Sequence, residues 1–344
     1  MKVLMIGMGM VAQAHVLALR DNEVGLRLCA VLGRDTSRTE HFAQKAAKEL
    51  GYPVAGCTTW KDAVAHAPDM ALVLTPPNAR QDYAALLATA GIPTLMEKPL
   101  ERSHAGAQAV ADLYAQAQVP LGLCFQHRTR ASVRSLKHKL ETGALGAIVH
   151  VEMRVPWWRD QAYYDAPGRG SYARDGGGVM INQAIHTLDL ALWLAGPISD
   201  VQALMRTSPL HRMQAEDIAA GLLTFACGAS GVLSATTAAY PGGAESIAIT
   251  TTRAQATLVG DDLRIDWIDG YQEAVAQSAT GTGGGADPMA FTHAWHRSIV
   301  EDFANTMRSG TQPIAPPEGA LHVHAVIEAM EKAARSGERT QVLS

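Results

Sequence analysis

Two glycines near the amino terminus have the spacing of a phosphate-binding turn. Residues 7–12 read Gly-Met-Gly-Met-Val-Ala, directly after a short apolar run. In a GxGxxA sequence the first glycine allows a tight turn, the second lets the backbone approach a pyrophosphate, and the next helix offers N–H groups to the anion. Gly7, Gly9, Met10 and Val11 therefore predict a dinucleotide site, with a bare turn as the alternative.

The residues after the second apolar run bear on which dinucleotide binds. An acidic side chain about 20 residues beyond such a turn would bind the ribose hydroxyls of NAD. Here the sequence has Gly33 and Arg34, then Asp35 and, a helical turn later, Arg38. Two arginines can hold a ribose 2′-phosphate through charge-assisted hydrogen bonds. The pattern favours NADP over NAD, although Asp35 leaves NAD open and an exposed helix charge is the alternative for Arg38.

Polar residues follow two later apolar runs, which end at residues 74 and 96. The carboxyl ends of parallel strands meet at one sheet edge, where ligands bind. A lysine there can hydrogen-bond a substrate hydroxyl, and a pKa lowered by desolvation toward about 7 to 8 would let it exchange the proton. The alternatives are a helix cap at Asn78 and a solvated charge at Lys98. Glu97 could orient the ammonium of Lys98. The candidate ligand-binding residues after these two runs are Thr75, Pro76, Asn78, Glu97 and Lys98.

A second polar cluster lies in the middle of the chain. Three glycines at 176–178 precede Asn182, His186 and Asp189. A helix beginning near Asn182 places these three side chains on one face. Imidazole can exchange a proton near neutral pH, whereas the amide of Asn182 can only orient a ligand or Lys98 by hydrogen bonds.

Aromatic residues cluster just before those glycines. Trp158, Arg159 and Tyr163 lie within an eight-residue stretch that holds four aromatic side chains, although aromatic residues make up only 6% of the chain. Aromatic faces stack on the C–H surfaces of a pyranose, and an arginine binds sugar oxygens. The cluster predicts a sugar-binding surface, with packing or an interface as the alternative.

The elements that must position these residues change in type along the chain. Short apolar runs and helical segments alternate through the first third, which predicts a doubly wound parallel sheet. Later strand-like runs follow one another mostly without helices, which predicts a largely antiparallel open sheet, and two helices close the chain. We therefore expect an α/β Rossmann domain over 1–124 and an α+β domain over 125–344, whose last helix could pack back on the first domain. Thr280 to Gly285 has the composition of a flexible connection.

Composition excludes several classes of protein. The chain has 344 residues, 47% of them hydrophobic, and a formal net charge of -4. Disorder, collagen and coiled coil fit poorly. Nucleic acid and anionic membrane are improbable partners, because no basic field is present, and a small molecule is expected instead.

Targeting segments and metal sites are also not expected. The first residues resemble a secretory signal, but Gly7 and Gly9 interrupt the apolar run and an amphipathic helix follows. No apolar run reaches about 18 residues, so no membrane span is predicted. The four cysteines form no CxxC pair, which fits a reducing cytoplasm. His293 and His296 are interpreted as a capped or surface pair rather than metal ligands.

The motifs in this order and spacing resemble the glucose-fructose oxidoreductase, inositol dehydrogenase and rhizopine catabolism protein family, called Gfo/Idh/MocA. The likeness covers nearly the whole chain. It implies a Rossmann domain, an α/β domain whose open sheet commonly forms a dimer or tetramer, and hydride transfer between a nicotinamide and a sugar or cyclitol carbon. The matching segments are the GxGxxA turn, Thr75-Pro76-Pro77-Asn78, Glu97-Lys98-Pro99, Glu141-x-Gly143-x-x-Gly146, residues 176–189, and Asp302-Phe303 with Pro313.

The resemblance also implies roles for individual residues. The lysine of the Glu-Lys-Pro motif and the histidine of the second motif are the family's usual acid/base residues, here Lys98 and His186. Asn182 stands where many relatives carry aspartate, which shifts the proton work to those two residues. The segment that begins at Gln126 and includes Arg128 is similar to one near nicotinamide and substrate, although His127 replaces the more usual asparagine.

The expected reaction is oxidation of a secondary alcohol of a sugar, sugar acid or cyclitol, or its reversal, with NAD(P). Two other functions remain open. One is a glycosidase of the same fold that oxidises its substrate transiently with tightly held NAD. The other is a cofactor-sensing protein without catalysis, against which the presence of Lys98 and His186 argues.

Overall fold

The computed structural model describes residues 1–275 and 291–343, and the chain divides into two compact units. The segment from Thr280 to Gly285 lies outside the described residues. Within the described ranges, no helix combines the length and apolarity that crossing a bilayer requires. The first unit comprises 1–101, 105–126 and 292–317, and the second comprises 102–104, 127–291 and 318–344.

Helices and strands alternate through the first part of the chain, and strands dominate the later part. The strands are β1 (Lys2–Ile6), β2 (Arg27–Leu32), β3 (Ala55–Cys57), β4 (Met70–Val73), β5 (Thr94–Met96), β6 (Leu121–Leu123), β7 (Ile148–Pro156), β8 (Ile198–Arg206), β9 (Ile218–Phe225), β10 (Ser230–Thr236), β11 (Ser246–Thr251), β12 (Ala254–Val259), β13 (Asp262–Trp267), β14 (Gln272–Val275) and β15 (Thr340–Gln341). The helices are α1 (Ala12–Arg20), α2 (Thr36–Leu50), α3 (Trp60–Val64), α4 (Arg80–Thr89), α5 (His104–Ala117), α6 (Ala131–Glu141), α7 (Gln161–Asp165), α8 (Ile185–Ala195), α9 (Ala294–Ser309) and α10 (Pro317–Ser336). Short 3-10 turns cover Pro77–Ala79 and Gln126–Thr129, and a π-helical turn covers Met180–Ala184.

The first unit contains a parallel sheet in the order β3-β2-β1-β4-β5-β6. Residues 3–6 of β1 and all of β4 and β5 are buried, as expected for strands covered on both faces. Strand order reverses between β1 and β4, and open α/β sheets bind ligands beyond the carboxyl ends of strands at such a point. The predicted doubly wound sheet is confirmed.

A segment from late in the chain completes the first unit. Phe303 of α9 is fully buried, and a Cβ added to Gly122 of β6 would lie 2.7 Å from its ring. The N–H of Leu123 donates to the carbonyl of Ala315 at 2.9 Å. Residues 292–317 therefore belong to the first unit. The domain boundary expected from the sequence, after residue 124, would place them in the second domain.

The second unit contains a mixed sheet in the order β14-β13-β12-β11-β7-β10-β9-β8-β15. Only β7 and β10 run parallel among the described pairs, which confirms the largely antiparallel prediction. Burial alternates along β11 and β12, so that one face of the sheet is covered. Strands β12, β14 and β15 were not predicted, because β12 buries mainly small alanines and the other two are short.

Phe303→Ala is expected to lower the free energy of unfolding by about 3 to 5 kcal/mol, because it removes a fully buried ring that packs on β6. Phe42→Ala, at a partly exposed position of α2, is the matched control and should cost less. Urea unfolding at equilibrium measures both. Equal losses would show that α9 does not pack on β6 as described.

Candidate active site

The glycine turn of the first unit joins two loops. Gly7 has φ +97°, and a Cβ there would lie 2.9 Å from the backbone nitrogen of Thr75. Its own N–H donates to the carbonyl of Leu32 at 3.1 Å, and the N–H of Ala12 donates to Gly9 as α1 begins. The backbone that follows β1 is thereby in direct contact with the backbone that follows β4.

The predicted cofactor residues around this turn fit a bound dinucleotide. The hydroxyl of Thr75 is buried and has no hydrogen-bond partner among the described residues, so it is available to a ligand. Met10, Pro76 and Asn78 are exposed. The residue that precedes α4 is Ala79, so Asn78 is not its N-cap.

The position expected for a ribose-binding acid is a glycine packed against two side chains. A Cβ at Gly33 would collide with the side chains of Met8 and Thr39. The carboxylate of Asp35 instead caps α2, since it accepts a hydrogen bond from the N–H of Arg38 at 2.7 Å. The guanidinium of Arg38 lies 3.5 Å from the carbonyl of Met8 in the glycine turn, and Arg34 is exposed.

Glu97 is a buried carboxylate that holds the backbone of Lys98. Its Oε1 is 2.9 Å from His15 Nε2, and its Oε2 accepts from the N–H of Lys98 at 3.2 Å. Burial opposes ionisation, but the hydrogen bond from His15 and the nearby positive charges outweigh it and lower the pKa of Glu97 to about 2. Lys98 itself is partly exposed at the carboxyl end of β5.

His15 was not predicted, and the prediction of a surface position for His296 is wrong. His296 is buried, with Nε2 3.8 Å from Glu97 Oε1, whereas His293 pairs with Asp21 at 2.7 Å. Burial, and next the charge of His15, lower the pKa of His296 to about 3, so it is neutral near pH 7. No sequence signal pointed to either contact, because both join residues far apart in the chain.

The ligating atoms of His15, Glu97 and Cys124 all lie within 4.8 Å of one another. Imidazole, carboxylate and thiol groups are the kinds of ligand that metal sites use. However, the buried guanidinium of Arg80 interacts with the charge of Glu97, and it would repel a second cation. We therefore assign the cluster to hydrogen bonding.

In the second unit, Glu216 anchors the segment that carries Asn182 and His186. Its two carboxylate oxygens accept hydrogen bonds from the N–H groups of Gly178 and Met180, each at 3.0 Å. A Cβ at Gly178 would collide with the carbonyl oxygen of Glu216. The glycine run therefore permits this close approach, and Glu216 takes the place of an N-cap for the helix.

Asn182, His186 and Asp189 have different partners, and their common face stays a prediction. Residues 180–184 form a π-helical turn, and Asn182 Nδ2 donates back to the carbonyls of Gly177 and Gly178. Asp189 is buried and binds Arg128 through two hydrogen bonds of 2.9 and 2.6 Å. The structure thus gives Arg128 an ion-pair partner that the sequence did not indicate, and substrate binding by Arg128 stays a prediction.

His127 and His186 are stacked on each other. Their ring centroids are 4.4 Å apart with an interplanar angle of 24°, and both residues are buried. His127 lies on the 3-10 turn that begins at Gln126. The stack fixes the plane of the His186 ring, so the segment predicted from the resemblance lies beside the predicted acid/base histidine.

The aromatic cluster surrounds a buried arginine. The guanidinium carbon of Arg159 is 5.3 Å from the ring of Trp157 and 5.6 Å from that of Tyr163. Gln183, next to Asn182, donates to the Tyr163 hydroxyl at 3.3 Å. The structure thus brings Arg159 and Tyr163 to the segment that bears His186, whereas Trp158 packs edge-on against Tyr240.

A histidine that sequence analysis missed supports this cluster. His211 is buried, with Nδ1 2.6 Å from Asp217 Oδ2 and Nε2 2.8 Å from the carbonyl of Arg159. Asp217 also accepts from the N–H and hydroxyl of Ser208. This pair holds the backbone at Arg159, and nothing in the local sequence distinguishes it from other polar residues.

Comparison with known proteins is consistent with both units. Residues 1–125 match the family described as an oxidoreductase family with an NAD-binding Rossmann fold, and residues 133–257 match the GFO/IDH/MocA C-terminal domain. The rhizopine catabolism protein MocA of Rhizobium meliloti is 27% identical over 192 residues, which are 56% of this chain and 56% of MocA. The alignment thus spans about half of that relative.

Two further relatives extend over the whole chain. A D-apiose dehydrogenase of Rhizobium rhizogenes is 24% identical over 99% of this chain and 97% of its own length. The solved structure of a levoglucosan dehydrogenase in complex with NADH and levoglucosan has a TM-score of 0.84 and 21% identity, and it covers 100% of both chains. At 21% identity, this structural likeness shows that the two chains share a fold.

The anchor at Glu216 is expected to make stability depend on pH. Burial raises the pKa of Glu216 from 4.5 to about 7, so its contribution to stability is full below about pH 4.5 and is lost as the pH rises through 7. That shift corresponds to roughly 3 kcal/mol. We therefore compare the free energy of unfolding of the native protein with that of Glu216→Gln. The native value minus the variant value should fall by up to roughly 3 kcal/mol as the pH rises from 4.5 through 7.

Urea unfolding at a series of pH values measures this difference. Glu328→Gln, at an exposed position of α10, is the control and should show no such trend. A difference that stays constant with pH would mean that Glu216 is not titrating between 4.5 and 7.

Proposed function

Since this chain belongs to the Gfo/Idh/MocA family of oxidoreductases, we propose that it transfers a hydride between a nicotinamide and a secondary alcohol or ketone of a sugar, sugar acid or cyclitol. The observation that carries the proposal is the position of Lys98. It follows β5 at the same sheet edge as the turn at Gly7, whose geometry fits a dinucleotide.

The residues that would hold the cofactor come mostly from three loops at that edge. When bound, the nicotinamide supplies the hydride chemistry. The chain supplies backbone N–H groups at the start of α1, the buried hydroxyl of Thr75 and the closely packed glycine at position 7. The proposed cofactor residues are Gly7, Gly9, Met10, Val11, Arg34, Arg38, Thr75, Pro76, Asn78, Glu97, Lys98 and Gln126.

Lys98 and His186 are proposed to move the substrate's hydroxyl proton. In the oxidation direction they accept or polarise that proton as the C–H bond breaks, and in the reverse direction they act as acids. The stack on His127 keeps the His186 ring in one plane, and Glu97 holds the main chain of Lys98. Asn182, Arg128, Trp158, Arg159 and Tyr163 remain proposed substrate residues.

Binding of NADP in preference to NAD is the finer proposal. Gly33 supplies no acidic side chain, and the carboxylate of Asp35 caps α2. Arg34 and Arg38 are exposed where a 2′-phosphate would lie beside the glycine turn. These observations support charge pairing with a phosphate rather than hydrogen bonding of ribose hydroxyls to a carboxylate.

Assembly and location stay predictions. Leu204 and Leu222 are exposed and lie on one face of the second sheet, where strands β8 and β9 pair. Exposed apolar residues on a sheet face are consistent with a dimer or tetramer formed through it. The cytoplasmic location is supported by cysteine spacing alone.

Lys98→Met is expected to lower turnover by about 100-fold or more, because it removes a group that exchanges the substrate proton. Reduction of NAD or NADP is followed by absorbance with D-apiose, levoglucosan, myo-inositol and uronates. Lys45→Met, at an exposed position of α2, is the control. NADH and NADPH binding should stay within about three-fold in both variants.

Turnover that survives in Lys98→Met would remove the proposed role of Lys98. Release of sugar from aryl glycosides without net NADH formation would instead favour the glycosidase. A cofactor that binds tightly while neither reaction occurs would favour the sensing protein.

The double change Arg34→Ala/Arg38→Ala is expected to raise the KM for NADP by about ten-fold or more and to leave the KM for NAD nearly unchanged. Arg134→Ala, at an exposed position of α6, is the control. Steady-state kinetics with each cofactor provide the measurement, and parallel changes in both KM values would contradict the NADP proposal.

A further inference from the structure

Arg80, the first residue of α4, is a buried cation bound to backbone carbonyls. It is only 2% exposed. Its Nε donates to the carbonyl of Thr75 at 3.0 Å, Nη1 donates to the carbonyl of Glu97, and Nη2 lies 3.4 Å from the carbonyl of Lys98. One planar guanidinium therefore bridges three main-chain acceptors.

These three carbonyls belong to two loops that leave adjacent parallel strands. Val73 of β4 and Met96 of β5 are paired in register, and the chain leaves the sheet just beyond them. The loop after β4 carries Thr75, and the loop after β5 carries Lys98. Arg80 links the two loops by charge-assisted hydrogen bonds, which are stronger than neutral ones.

The main chain of Lys98 is consequently held on both sides. Its N–H donates to Glu97 Oε2 at 3.2 Å, and its carbonyl lies against Arg80 Nη2. The same carboxylate is bound by His15. Since Arg80, Glu97 and His15 are all buried, movement of this backbone would break hydrogen bonds that water cannot readily replace.

We propose that Arg80 is a positioning residue for the reaction, because its planar guanidinium fixes the backbone of Lys98 against the loop that carries Thr75, a proposed cofactor residue. This inference rests on the proposed role of Lys98. A lysine at position 80 would keep the charge but lose the planar fork, and could not hold three carbonyls in the same geometry. A small displacement of a reacting group costs a large factor in rate.

The test compares Arg80→Lys with the native protein and with Arg130→Lys. Arg130 is also 2% exposed, and its guanidinium binds the carbonyl of Gly260 and the carboxylate of Glu245 in the second unit. If Arg80→Lys does not fold, Arg80→Gln, which keeps a planar donor, replaces it. Thermal unfolding measures the general loss of stability in each variant.

Two readouts separate positioning from stability. The first is the rate at which acetic anhydride labels Lys98 in the cofactor-free protein, quantified by mass spectrometry with the exposed Lys45 as internal reference. The second is kcat and its primary deuterium isotope effect, measured with levoglucosan or myo-inositol carrying deuterium at the reacting carbon.

We expect Arg80→Lys to change the labelling rate of Lys98 by about two-fold or more. We also expect it to lower kcat by about ten-fold and to raise the isotope effect. Arg130→Lys should change neither readout beyond its effect on stability. Native labelling of Lys98 in Arg80→Lys would overturn the inference whether or not a sugar is turned over. Failure of the proposed function appears separately, as absence of turnover in the native protein.

Discussion

The backbones that follow β1 and β4 approach so closely at Gly7 and Thr75 that a methyl group does not fit between them. This contact sets the geometry of the first unit's ligand edge, because the helix that begins at Ala12 and the loop after β4 are both placed by it. Gly33 is also closely packed, but there a Cβ would meet the side chains of Met8 and Thr39 rather than backbone.

In each unit, buried polar side chains hold the backbone near a residue that is proposed to react. Arg80 and Glu97 hold the main chain at Lys98. Glu216 holds the glycine run before His186. Loops are more mobile than helices and strands. A buried charged side chain can hold a loop in place when its hydrogen-bonding groups all have partners.

Much of the fold could be predicted from the sequence, because buried parallel strands read as short apolar runs and the glycine turn has a distinctive spacing. The residues Lys98 and His186 were found through motifs. In contrast, His15, Arg80, Glu216 and His211 each have at least one partner distant in sequence, and no local pattern marks them. Asn182 lies in a π-helical turn, which helical spacing alone does not reveal. The position of α9 was missed for the same reason, since its contacts with β6 are long-range.

The return of residues 292–317 to the first unit has a consequence for biosynthesis. The ribosome releases the nucleotide-binding strands early, but Phe303 and the carbonyl of Ala315, which cover β6, emerge only after nearly all of the second unit. Until then the edge strand of the nascent sheet is without its final partner, and the nascent chain carries an incomplete core. Folding of the two units is thus coupled in time by the order of the chain.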